Sequence, residues 1–463
     1  VISSSSNHAG ALVSKGSSAE GNSFRVGGFV REGGTVNNHL TFASLMATKD
    51  NTTVNITGLP AGFTQPNNSS VPNDIILNEG QSYIIALSSI RGVTDSKDLI
   101  GSLISSDKPI VVNSGSATGS FGNSGGRDYG IDQIVGADKI GIEYILVRGS
   151  GIDSNENALI IAHEDNTEIS INGNSSTTKI DAGEYFVVEG NNYVNGNMFI
   201  STSKPTFVYQ GIAEENNQFP DANQGLFFVP PLNCENKGDV NNIASIDRIG
   251  DVNFTGGVTI VTNTGATITI NDMDISTFAP QGPINVTGNS NYVTYKVSGL
   301  SGNIKVESDQ ELYCAYFNKN GAATTGAFYS GFPNTPEVNF ITTAATLGNC
   351  IPNVTLTTPA DTNLFEYKWE FFKNGAWESV GNTNESYTPT EPGRYQLLSK
   401  IICTQKDIPP YEVTVSICPD DFDNDLIIDN VDVDLDNDGI LNIDESLGDG
   451  IVNFTKLTNP SID

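Results

Sequence analysis

The sequence predicts an all-β fold, and three observations carry that prediction. No stretch holds apolar residues at the i, i+3, i+4, i+7 spacing of an amphipathic helix over a dozen positions. Short runs that alternate apolar and polar residues recur instead, bounded by Gly, Asn, Ser and Asp, which is the pattern of half-buried strands. The same two-part strand pattern returns about every hundred residues, so the strands are organised in repeats.

The first part of the repeat reads LTFASLMATKDNTTVNITG at 40–58, NALIIAHEDNTEISING at 157–173 and GVTIVTNTGATITIND at 257–272. Each copy is an apolar run, a turn of Asp-Asn-Thr or Thr-Gly-Ala type, and a strictly alternating run. A β-hairpin is predicted, because Asn and Gly accept φ > 0 in the turn. Its inward residues are Val54 and Ile56, Ile169 and Ile171, and Ile268 and Ile270.

The second part reads SSDKPIVVNSG (105–115), STSKPTFVYQG (201–211) and ESDQELYCAYF (307–317), and predicts a further strand. Pro109 and Pro205 stand just before its apolar run, where a missing N–H is tolerated. Between the two parts lie GQSY (80–83) and GEYF (183–186). Two features recurring in register predict three related β-sandwich-like units within 1–335, at about 20–121, 122–224 and 225–335. Sandwich, barrel and propeller-like arrangements of such units all satisfy the pattern.

Composition removes several function classes. Acidic residues exceed basic ones by 54 − 23 = 31, so the chain repels nucleic acid and anionic membrane surfaces. No apolar run approaches the length that spans a bilayer. Val1 opens the chain where an initiator Met is missing, which reads as a processed or trimmed piece of a longer secreted protein. The five cysteines form no C-x-x-C pair, and His8, His39 and His163 form no H-x-x-x-H or H-E-x-x-H arrangement, which argues against zinc and His/Cys chemistry. Gly122–Gly126 resembles the GDSGG around a chymotrypsin-type serine. No triad partner accompanies it, so NSGSATGSFGNSGG (113–126) reads as a flexible loop. The sequons at Asn51, Asn174 and Asn253 read as by-products of Asn/Thr-rich turns.

With RDYGIDQIVGADKIGIEYILVRG (127–149) before the second copy and GLFFVPPLNC (225–234) before the third, the repeat region resembles the IgGFc-binding protein N-terminal domain family over residues 20–335. That family occurs in animal mucus-associated proteins and in large surface proteins of Bacteroidetes, and the modules that follow here fit the bacterial setting. The resemblance implies a surface protein exported by the type 9 secretion system for adhesion or gliding motility. Human relatives are associated with binding the Fc part of IgG, and no residue is carried over for that activity.

Residues 336–417 read as a separate domain with strands in YKWEFFKNGAW (367–377), SYTPTEPGRYQLLSKIIC (386–403) and YEVTVSIC (411–418), entered through TPEVNFITTAATLGNC (335–350). The order Cys350, Trp369, Cys403 and the Gly393-Arg394-Tyr395 triplet resemble an Ig-type sandwich. The resemblance implies a Cys350–Cys403 bridge, closing a loop of ~50 residues worth about 4 kcal/mol in the chain-entropy model. Trp369 lies 19 residues after Cys350 and Tyr395 eight before Cys403, departures that leave Cys350–Cys418 open as the alternative. Cys234 and Cys314 lie within the third unit and are expected to bridge it, the alternative being two buried thiols.

Residues 420–445 hold eleven Asp or Glu and no Lys or Arg, a density that repels itself unless a cation neutralises it. DLDNDGILNIDE (434–445) places oxygen ligands Asp434, Asp436, Asp438, Asn442 and Glu445 at loop positions 1, 3, 5, 9 and 12, with Gly439 at the turn and the Ile440 carbonyl at position 7. This is an EF-hand-type loop pattern, and Ca²⁺ takes six to eight such oxygens. DFDNDLIIDNVD (421–432) repeats the spacing with Asp421, Asp423, Asp425, Asp429 and Asp432, although Leu426 replaces the turn glycine. Back-to-back loops without room for helices resemble thrombospondin type 3 repeats, here over 418–447, with 448–463 opening a further region or linker. Calcium is expected to be structural, stiffening a spacer.

The expected function is that of a non-enzymatic adhesin, extracellular or on a bacterial cell surface. Its partner would be an extracellular protein or glycan, with translocon components engaged during export. A dedicated binder of a host protein such as immunoglobulin or mucin is the second reading. A secreted carboxylate-dependent hydrolase is the third.

Overall fold

The structure, a computed structural model, describes residues 2–5, 8–30, 39–90, 93–121, 127–175, 178–214, 223–234, 238–332, 336–358, 364–429 and 432–442. It is all-β, with strands joined by turns and short 3-10 segments. The chain divides into two compact bodies, Val1–Asn334 and Thr335–Asp463.

In the first body a seven-stranded sheet is built around one long strand, Leu103–Gly119. Thr52–Thr57 and Gly21–Arg25 pair with its N-terminal half; Leu40–Ala47 and Asp128–Ile134 pair with its C-terminal half. A second seven-stranded sheet repeats the plan around Asn197–Ile212. There Thr167–Ile171 and Gly141–Val147 take one half, and Asn157–Ala162 and Gly225–Phe228 the other. In the third copy the long strand is interrupted, as Ile304–Ser308 and Leu312–Asn320, and the strands divide into a four-stranded and a five-stranded sheet.

The predicted hairpins are not formed. Leu40–Ala47 and Thr52–Thr57 are both bonded to the long strand, one to each half, and the same holds for 157–162 and 167–171. The recurring motifs explain why. Between the two halves of the long strand, Asp107 Oδ1 accepts the amide of Thr53 at 2.7 Å and Ser203 Oγ that of Glu168 at 2.9 Å, and at the interruption in the third copy Asp309 Oδ1 accepts that of Thr267 at 2.8 Å. Lys108 Nζ donates to the Asp50 carbonyl, and Lys204 Nζ to the Asp165 carbonyl, both at 2.6 Å. The Asp-Asn-Thr turn and the Lys-Pro element are thus two halves of one lock, which is why they recur together. Asn51 and Asn166 do take the left-handed conformation expected of the turn, with φ of 52° and 58°.

Of the predicted inward residues, Val54, Ile169, Ile268 and Ile270 are buried, and Ile56 and Ile171 partly so. The segment 113–119, expected to be loop, completes the long strand. Its small residues let 26–30 lie close: Ser114 Oγ accepts the Gly27 amide at 2.8 Å and Ser116 Oγ that of Phe29 at 3.0 Å. Gly122–Gly126 lies outside the described residues.

The units share cores. On the second sheet Leu159, Ile161, Phe207, Tyr209, Leu226 and Phe228 join the core of the first unit. Their alternating neighbours Ala158, Ile160, Ala162, Val208 and Phe227 join the core of the third. Both faces of the middle sheet are therefore covered, which buries every residue of Asn157–Ala162.

The second body packs a three-stranded sheet (339–342, 354–357, 386–387) with a five-stranded one (350–351, 406–417, 393–401, 365–373, 376–379) around fully buried Trp369. Trp369 Nε1 donates to the Asn384 carbonyl at 3.0 Å, and the Tyr395 hydroxyl to the Glu391 carbonyl at 2.6 Å. The expected Cys350–Cys403 bridge is replaced by Cys350–Cys418. Cys350 opens a short strand running parallel to Lys406–Ile417, with Cys350 opposite Ser416. Cys403 sits in the turn at the far end of the 393–417 hairpin, where Ile401 pairs Lys406. The expected Cys234–Cys314 bridge is also absent: Cys314 is a buried free thiol, pushed up to about 12 by desolvation.

Candidate metal centre

Two consecutive acidic loops of the second body adopt the same local structure. In the first, carboxylate oxygens of Asp421, Asp423 and Asp425 lie within 4.8 Å of one another; in the second, those of Asp434, Asp436 and Asp438 do so. Each loop is closed from within. Asp421 Oδ2 accepts the amide of Leu426 at 3.1 Å and Asp434 Oδ2 that of Gly439 at 3.0 Å. Asp425 Oδ1 accepts from Ile427 at 2.7 Å and Asp438 Oδ1 from Ile440 at 2.8 Å. The left-handed residues also correspond: Asn424 and Leu426 at φ 62° and 78°, Asn437 and Gly439 at φ 56° and 89°.

The arrangement leaves oxygens over. Asp421 Oδ1, Asp423 Oδ2 and Asp434 Oδ1 are shielded from solvent and make no hydrogen bond. The Asp423 carboxyl is pushed up, first by desolvation and then by the charges of Asp425, Asp432 and Asp421. Shielded, unpartnered carboxylate oxygens facing like charges are costly unless a cation or proton joins them. A hard divalent ion suits an all-oxygen donor set of this kind.

The remaining sequence-predicted ligands divide into those the loops use elsewhere and those out of view. Asp429 Oδ1 accepts the Phe422 amide at 2.8 Å, and Asn442 Oδ1 the Leu435 amide at 2.9 Å, so position 9 pins the loop's first turn in both copies. Asp432 Oδ1 accepts from the Asp434 amide at 2.9 Å and links the loops. None of these three belongs to the converging carboxylates. The Ile440 side chain is exposed, and Glu445 lies outside the described residues. Sequence reasoning missed the anchor of the first loop, where Thr346 Oγ1 donates to the Leu426 carbonyl at 2.8 Å.

The architecture is that of a β-repeat protein whose modules carry no converging His or Cys cluster among the described residues. The family described as IgGFc binding protein matches residues 10–317, about two thirds of the chain, and the chain belongs to that family. No curated protein matches it. Among solved structures, "Crystal structure of tetra-tandem repeat in extending region of large adhesion protein" is 12% identical, with 80% of this chain and 93% of that chain covered and a TM-score of 0.12.

Proposed function

We propose that this chain is the ligand-binding and spacer portion of an extracellular adhesin, borne on a bacterial surface. Family membership over residues 10–317 is the observation that carries the reading. The Cys350–Cys418 disulfide supports an oxidising, extracellular setting. In this reading the Ig-like sandwich and the thrombospondin type 3-like loops follow the binding region as a spacer, with Ca²⁺ held by Asp421, Asp423 and Asp425 and by Asp434, Asp436 and Asp438. Export by type 9 secretion and a part in adhesion or gliding belong to the same reading.

Calcium titration of the full chain by calorimetry, with limited proteolysis in parallel, tests the spacer. Calcium should protect the 418–442 segment, EDTA should abolish the protection, and Asp434→Ala with Asp436→Ala should reproduce the chelated pattern. Cleavage indifferent to calcium would refute the metal assignment.

The family's description favours a second reading, a dedicated immunoglobulin binder. Surface plasmon resonance of the full chain against purified IgG Fc, mucin and a glycan panel separates the two. Saturable binding to Fc alone selects the second.

A further inference from the structure

We infer that Lys15 and Asp132 form an intramolecular amide cross-link, tying the N-terminal segment covalently to the first β-unit. Lys15 Nζ lies 2.9 Å from Asp132 Oδ1, and the two side chains are 1% and 0% exposed. Lys15 reaches this position on a segment that runs alongside the strand Asp128–Ile134, held by its own amide on Gln133 Oε1 and by the Ala9 amide on Asp128 Oδ1. As an ion pair the contact is poorly satisfied. Asp132 is the one acceptor of the ammonium among the described residues, and the Phe332 ring lies 4.9 Å from Nζ. A buried ammonium with donors to spare is costly, whereas an amide needs one acceptor and carries no charge.

The surroundings favour condensation. Desolvation is the leading influence on both groups, pushing Lys15 down toward the free amine and Asp132 up toward the neutral acid, the nucleophile and electrophile of amide formation. Phe228 N–H donates to Asp132 Oδ2 at 3.0 Å and Gln133 N–H to Oδ1 at 2.9 Å. Backbone donors so placed polarise the carboxyl and stabilise the oxyanion that develops on Oδ2. The Nζ lone pair attacks Cγ, a C–N bond forms, and the tetrahedral centre collapses with loss of the Cγ–Oδ1 bond. Oδ1, carrying the acid's proton, takes one more from Nζ and leaves as water. Oδ2 remains as the amide oxygen on the Phe228 N–H. A cavity of about 210 Å³ whose lining includes Ser14, Lys15, Gly331 and Phe332 offers the released water a place to go.

Intact-mass spectrometry of the reduced full chain, followed by tandem sequencing of its tryptic peptides, decides the matter. The expected result is a mass lower than the sequence mass by one water, with a branched peptide joining Lys15 to Asp132. Lys15→Arg and Asp132→Ala should each restore the sequence mass. A folded wild-type chain at its full sequence mass would overturn the proposal, as would a lost water that maps elsewhere.

Discussion

Leu426 and Gly439 occupy the same place in consecutive acidic loops, each with left-handed backbone and each donating its amide to the first aspartate of its loop. A branched residue in that conformation carries strain on the order of 1 kcal/mol, which glycine avoids. The sequence difference between the loops is therefore an energetic one laid on a common geometry.

Leu426→Gly should consequently tighten the first loop. The expected gain is up to ~1 kcal/mol in calcium affinity or in stability of the second body, after the entropy cost of glycine. Calorimetric titration of the variant beside wild type measures it. Weaker binding would mean that the Leu426 side chain contributes packing that outweighs its strain.

Acidity should stabilise the first body through Asp128. Its buried carboxyl is pushed up to about 8 by desolvation, against an ordinary 3.8, so the folded state keeps a proton that the unfolded state loses. That contribution is fully present below the unfolded value and is lost progressively as pH rises from about 4 to about 8, where folded Asp128 also ionises. Melting temperature should fall across that window and Asp128→Asn should flatten the fall. An unchanged profile in the variant would refute the assignment.

The shared core predicts coupling between units. Phe228 packs against Tyr209 and Phe207, with ring centroids 5.3 and 6.2 Å away, and Phe228→Ala should cost about 3–5 kcal/mol. Hydrogen exchange should accelerate in Leu103–Gly119 as well as in Asn197–Ile212. Acceleration confined to the second unit would show that the units unfold independently.

Replacing both Cys350 and Cys418 by serine should destabilise the second body by about 4 kcal/mol, because the bridge spans a sequence separation of 68 residues. Calorimetry should show this loss in the transition of the second body, with that of the first unmoved.

Much of this was legible locally. The alternation in 52–57 and 167–171 announced strands, and the spacing of Asp434, Asp436 and Asp438 announced converging carboxylates, because both depend on neighbours in sequence. The recurrence of Asp-Asn-Thr with Lys-Pro was equally visible. Its meaning, Lys108 and Lys204 reaching across to the turn carbonyls, was not.

The amino-acid order alone announced the alternating strands with most of their inward residues, though not the strand at 113–119, and the phase of the acidic loops. Period-two patterning encodes which face is buried and says nothing about which strand lies alongside. Only the tertiary structure decided that the paired runs share a long strand, that the middle sheet is covered on both faces, and that Cys350 meets Cys418. Each of those outcomes depends on contacts between residues far apart in the chain, set by register and by competition among partners, which no local pattern records.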